Sequence, residues 1–167
     1  IFLLYSMIQA IREATFAAYL ETEAERIDTS VAPGNIRHLM KFTNDLDGAV
    51  FYAYARTEVI KDRYTSLLYR YAAVPTLPPF GGEVNLIPAG HFKYELYEVS
   101  WIGAVNLTGT TAPDTETRVL PVNPLNGVVQ GLVAIGILYL AEKSGSEEVQ
   151  YTEYDSPAAT NTIYYGQ

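Results

Sequence analysis

Residues 92–99 alternate without a break: Phe92, Tyr94, Leu96 and then Glu98 fall on one side of an extended chain, and Lys93, Glu95, Tyr97 and Val99 on the other. A period of two sustained this long builds a strand with two unlike faces and fits no helix. Pro88-Ala89-Gly90 supplies the turn that leads into it. Such a strand must be paired on its edges and covered on its apolar side, so Phe92, Tyr94 and Leu96 are expected to point inward.

The rest of the chain reads as partners for this strand. Residues 36–42 alternate, with Ile36, His38, Met40 and Phe42 on one side. After a short polar connection ending in Asp47-Gly48, residues 49–55 return as the second arm of a hairpin. Residues 14–20, 65–73, 83–87, 128–141 and 148–154 read as further strands. Gly131 and Gly136 mark a bulge or a close backbone approach within 128–141. Residues 58–64 are charged and are expected to hold one helical turn. Residues 75–82, rich in Pro and Gly, form a rigid loop. Residues 103–126 form a loop of unusual length, either functional or in part strand-paired. About eight strands at this spacing predict an all-β fold, an antiparallel β-sandwich of immunoglobulin-like or jelly-roll-like type. It spans residues 14–155. Residues 1–13 are read as an extended arm or short helix, and residues 156–167 as a C-terminal arm that docks on a neighbour.

Composition narrows the function classes. The chain has 167 residues and a net charge of −8, which argues against a broad basic face for nucleic acid. It has no cysteine, so disulfides, thiolate metal sites and a cysteine nucleophile are excluded. Fourteen tyrosines suit half-buried strands and interfaces alike, because the ring is apolar and the hydroxyl stays wet. The apolar stretches 1–11 and 132–141 are too short for a membrane-spanning helix. Residues 1–11 also lack the basic start of a signal peptide. The sequence opens on Ile1, which fits a processed chain or a segment of a longer product.

No residue pattern points to catalysis, a cofactor or a metal. His38 and His91 are isolated from carboxylate clusters in sequence, and residues 44–48 carry only a fragment of a calcium-loop pattern. Glu95 and Glu98 fall on opposite faces of one strand and cannot flank a single bond. Nucleophile elbows, phosphate loops and dinucleotide fingerprints are absent from the sequence. The candidate interface residues are tyrosines and the one tryptophan: Tyr97, Trp101, Tyr151, Tyr154, Tyr164 and Tyr165. An alternative reading places Trp101 with Tyr97 and Tyr94 as an aromatic platform for stacking glycans. Against it stands a Trp101 that simply caps the core.

Three segments occur in one order: Lys41-Phe42-Thr43-Asn44-Asp45 followed by residues 49–54; Phe92-Lys93-Tyr94-Glu95-Leu96-Tyr97-Glu98; and residues 148–155 with Tyr151 and Tyr154. The pattern resembles small β-rich virion proteins of tailed phages, notably crAss-like and other phages that infect Bacteroidota. It covers residues 36–155; the helix-prone start and the Thr-rich residues 108–117 depart from it. The resemblance implies a non-enzymatic virion subunit, decorating the capsid or forming part of the head-to-tail neck. Its partners would be copies of itself and other capsid, portal or tail proteins, with no membrane and no sequence-specific nucleic acid. It would be made in the host cytoplasm and reside in the virion.

Overall fold

The computed structural model describes residues 5–143, and these form two β-sheets packed face to face. Among the described residues the strands are β1 (Tyr5–Ile11), β2 (Phe16–Leu20), β3 (Ile36–Asn44), β4 (Val50–Tyr54), β5 (Thr57–Ile60), β6 (Thr65–Tyr71), β7 (Glu83–Val84), β8 (Gly90–Ser100) and β9 (Val128–Ala141). The first sheet runs β1-β9-β8-β3-β4, and the second runs β2-β6-β5, with β7 alongside β6. Neighbours are antiparallel except β1 with β9 and β6 with β7. The expected all-β class and two-sheet layering are therefore present.

The alternation in β8 sets the core. Phe92, Tyr94 and Leu96 are fully buried, and so are Met40 and Phe42 beside them on β3. From the opposite sheet Phe16, Ala18 and Leu20 of β2 and Leu67 and Tyr69 of β6 close over them. The rings interlock: Phe16 stacks on Tyr69 at 5.3 Å, and both meet Phe42 edge-on, arrangements that aromatic quadrupoles favour. Bulges lie in the β8–β9 ladder between Leu96 and Tyr97 and between Glu98 and Val99. The second falls beside Gly131, as expected of a glycine within a strand, whereas Gly136 sits in regular pairing with Tyr94.

One side of the sandwich is closed by a strand that changes sheets. Only Ala55 and Arg56 separate β4 from β5. Arg56 N already donates to Leu68 O of the second sheet at 2.7 Å. This departure leaves the His38 N–H on β3 without its next ladder partner. Glu58 of β5 supplies it: Oε1 accepts from His38 N at 3.1 Å and from Arg37 Nε at 3.3 Å, while Oε2 lies 2.6 Å from His38 Nδ1. Arg37 also donates to Ala55 O. The carboxylate is thus buried only because the strand switch opens a set of donors for it. The helical turn expected over residues 58–64 gives way to β5 for the same reason, since residue 58 is held extended by these bonds.

The start of the chain also differs from expectation. Residues 5–11, read as part of an arm or short helix over 1–13, form the edge strand β1, with Ile8 and Ala10 buried in the core. High helix propensity loses here to burial of alternate residues against β9. The strand expected at 148–154 and the arm at 156–167 lie outside the described residues.

Among the described residues, Tyr69 Oη is a buried side-chain polar atom without a hydrogen-bond partner. Replacing Tyr69 by Phe removes that uncompensated hydroxyl and keeps the stacked ring. The variant is expected to be as stable as the parent or more so, by ~1 kcal/mol, measured as the urea unfolding midpoint. A loss of several kcal/mol would show that the hydroxyl does have a partner.

Candidate docking face

The outer face of the five-stranded sheet is divided in two. Its upper half, next to the ends of β8 and β3, is covered by residues 101–127. Leu39, Tyr54 and Val99 point outward from the sheet and form a second core with Trp101 and Ala112 of that segment. Val105 and Leu107 pack against them. Trp101 Nε1 donates to Thr111 O, and the Tyr54 hydroxyl donates to Pro113 O at 2.6 Å. The long loop is therefore neither strand-paired nor loose; it is the lid of a small core.

At the border of the lid lies a chain of charges and tyrosines. Glu116 reaches down from the loop and accepts from Lys41 Nζ at 2.8 Å and from the Tyr52 hydroxyl at 2.5 Å. Glu95 accepts from the Tyr97 hydroxyl at 2.8 Å and pairs with Lys93 at 3.1 Å. Burial pushes both carboxyl groups up, but hydrogen bonds outweigh it: Lys41 and Tyr52 on Glu116, Tyr97 and Lys93 on Glu95. Both end below their ordinary value. Tyr52 is pushed up to about 12, first by burial and then by the carboxylate of Glu116. The Glu116 hydrogen bond raises Lys41 against its own burial. The group is consequently locked in one charge state near neutrality, with every member partnered. It works as a clasp for the loop.

Among the described residues, nothing covers the lower half of the face. Across β1, β9 and β8 the register aligns Met7 with Ile137 and Lys93, and Gln9 with Tyr139 and His91. Met7 is 55 % exposed, Ile11 52 %, Ile137 45 % and Tyr139 40 %. The His91 and Tyr139 rings lie 5.0 Å apart. An apolar strip on β1 and β9 thus passes directly into the charged strip of β8 and β3. Contiguous exposed apolar surface with a polar margin is the general mark of an interaction site. A second exposed apolar group, Val119, Val122 and Leu125, lies on the lid loop.

The expected interface residues have separate fates. Tyr97 lies on this face, half-buried and engaged with Glu95. Trp101 is 1 % exposed beneath the lid, and Tyr94 is wholly buried in the main core. A glycan-stacking platform of Trp101, Tyr97 and Tyr94 is therefore not formed. Tyr94 and Trp101 belong to different cores and Tyr97 to neither, and the expectation that Trp101 caps a core holds. Tyr151, Tyr154, Tyr164 and Tyr165 lie outside the described residues. Sequence reasoning passed over Met7, Ile11, Ile137 and Tyr139. Their signal was present: residues 132–141 are apolar at every position, yet a strand in a two-layer sandwich has one face to spare.

Buried acids elsewhere are structural. Glu98 accepts from Ile27 N at 3.1 Å and Asp28 N at 2.7 Å, mooring residues 21–35 to the end of β8. Among the described residues no group of three or more His, Cys, Asp or Glu side chains is arranged to hold a metal ion, and no helix is long and apolar enough to cross a membrane. No protein-family model, curated protein or solved structure matches the chain.

The clasp makes the lid sensitive to acid. Because Glu116 and Glu95 titrate below about 4.5 when folded, their contribution is fully present above that value. It is lost as pH falls through the folded values. The urea midpoint should therefore drop below about pH 4.5, with a red shift of Trp101 emission as the lid lifts. Glu116→Gln is expected to lower the midpoint at pH 7 and flatten its acid dependence. An unchanged acid profile in the variant would exclude this role. Independently, a Cβ on Gly127 would sit 2.6 Å from the Trp101 ring. Gly127→Ala should thus cost roughly 1–3 kcal/mol, read from the same unfolding curves.

Proposed function

We propose that this chain is a non-enzymatic structural subunit of a tailed-phage virion, on the capsid surface or in the neck, joined to its neighbours through the uncovered half of the five-stranded sheet. The observation that carries the assembly reading is the strip of Met7, Ile11, Ile137 and Tyr139, exposed side by side on paired strands. An apolar strip kept beside a charged margin gains by being covered in an assembly. The virion assignment is supported by the resemblance of residues 36–155 to small phage virion proteins. Two of its segments, 41–54 and 92–98, fall on β3, β4 and β8, which frame the same face. The partners in this reading are further copies of the chain and capsid, portal or tail components.

Strand order supports a finer reading of the fold. We infer an immunoglobulin-like sandwich: β2-β6-β5 take the B-E-D places and β9-β8-β3-β4 the G-F-C-C′ places of a variable-type domain. In that scheme the loops 21–35 and 101–127 emerge at one common end, since Ile36, Ser100 and Val128 lie side by side there.

The test is stoichiometry in purified particles, combined with light scattering on the isolated chain. The parent is expected in particles at a fixed copy number. The double variant Met7→Asp with Ile137→Asp, both outward-facing, should fold but lose incorporation or self-association by about tenfold or more. A chain that is absent from particles and monomeric at every concentration would sink the proposal.

A further inference from the structure

Among the described residues the sandwich is closed on the β4–β5 side but open on the other. There β1 of one sheet and β2 of the other run beside each other, joined only by the turn at residues 12–15. Hydrogen-bond alternation tells which backbone groups face the gap. Arg12 N donates to Ala141 O at 2.8 Å, so the even-numbered residues of β1 face β9. Met7 and Gln9 therefore turn their N–H and C=O groups away from it. On the second sheet Leu68 O accepts from Arg56 N, so Leu67 and Tyr69 face β2, where they pair with Ala18 and Phe16. Ala17 and Tyr19 consequently present their backbone groups to the gap. These four residues, with Ile8 and Ala18 at the floor, line a groove of about 320 Å³. Two strand edges whose donors and acceptors have no partner among the described residues, on either side of a groove, form a receptor for an extended segment.

We propose that the occupant is this chain's own segment 148–154, docked as an additional strand on the free edge of β1. Three observations select it. The first is position: β9 ends at Ala141 beside Ile11, Glu142 bonds Arg12 Nε at 2.7 Å, and Lys143 pairs with Glu13. The chain therefore leaves the described fold at the closed end of the groove. The second is reach. Crossing β1 takes two strand spacings, ~10 Å, and residues 142–147 span up to ~20 Å when extended. The third is pattern. Glu148-Val149-Gln150-Tyr151-Thr152-Glu153-Tyr154 alternates over the same length as β1. A strand returning from that end would run antiparallel to β1, and its alternation would put Val149 and Tyr151 on one side. A tether this short keeps the segment at an effective concentration that a separate molecule does not match. The inference stands apart from the virion reading, since it concerns the isolated chain.

The chain has no cysteine, so a pair of introduced cysteines gives an unambiguous readout. Gln9→Cys is combined in turn with Gln150→Cys, Tyr151→Cys and Thr152→Cys in the full-length chain. At least one pair is expected to oxidise within a monomer under dilute conditions. Amide exchange supplies the second measurement: Met7 and Gln9 should exchange about tenfold or more slowly in the parent than in a full-length Gln150→Pro, Thr152→Pro variant, with no dependence on protein concentration. Cross-linking only between chains, no cross-linking in any pair, or equal exchange in parent and variant would each overturn the proposal.

Discussion

Burial of β8 on both faces is the constraint from which the rest of the architecture follows. Inward, Phe92, Tyr94 and Leu96 require the second sheet as a cover. Outward, Val99 and its neighbour Leu39 on β3 require another, and residues 101–127 provide it by folding back with Trp101 and Ala112. A central strand in an ordinary two-layer sandwich needs only one cover. Among the described residues the upper part of the sheet is a three-layer structure and the lower part is two-layered. The length of the β8–β9 connection is explained by that demand, and so is the burial of the only tryptophan. The lid is held at its border by Glu116 on Lys41 and Tyr52, so hydrophobic cover and polar clasp act on the same segment.

Buried carboxylates do the joining at the end of the sandwich where strands part. Glu58 replaces ladder partners that β3 loses when the chain passes from β4 to β5, and Glu98 takes the backbone N–H groups of Ile27 and Asp28. Each charge sits beside donors created by an interruption of regular pairing. Removing either carboxylate would orphan those donors, and burying either without them would be prohibitive. Their burial follows from the topology, which creates the donors they accept from.

Much of this arrangement was legible in the residues, and its gaps have definite causes. Two-residue alternation identified β8 and β3 and the inward set Phe92, Tyr94 and Leu96, because one buried face leaves a strong period. It failed for residues 5–11, where Gln9-Ala10-Ile11-Arg12 has good helix propensity and only the partner strand β9 makes extension favourable. It failed for β5 because the reason for extension, the bonding of Glu58 to His38 and Arg37, is non-local. Trp101 was legible as a residue that caps a core, but the segment that covers it was not, since nothing local tells which way a long loop folds. The exposed apolar strip was hidden differently: a run apolar at every position suggests complete burial, and only sheet topology shows that half of β9 faces outward.

The strip and the open groove are one feature of the edge strand β1. Met7 belongs to both: its side chain lies on the apolar strip beside Ile137, while its backbone groups face the groove. A strand added at that edge would extend the outer face by one more row of side chains next to Met7. It would also remove the free ladder positions that invite unspecific pairing. A subunit that must remain soluble alone and then assemble gains on both counts. With such a strand in place the edge would be covered, and the surface left for a partner would be a sheet face, where side chains rather than backbone decide who binds.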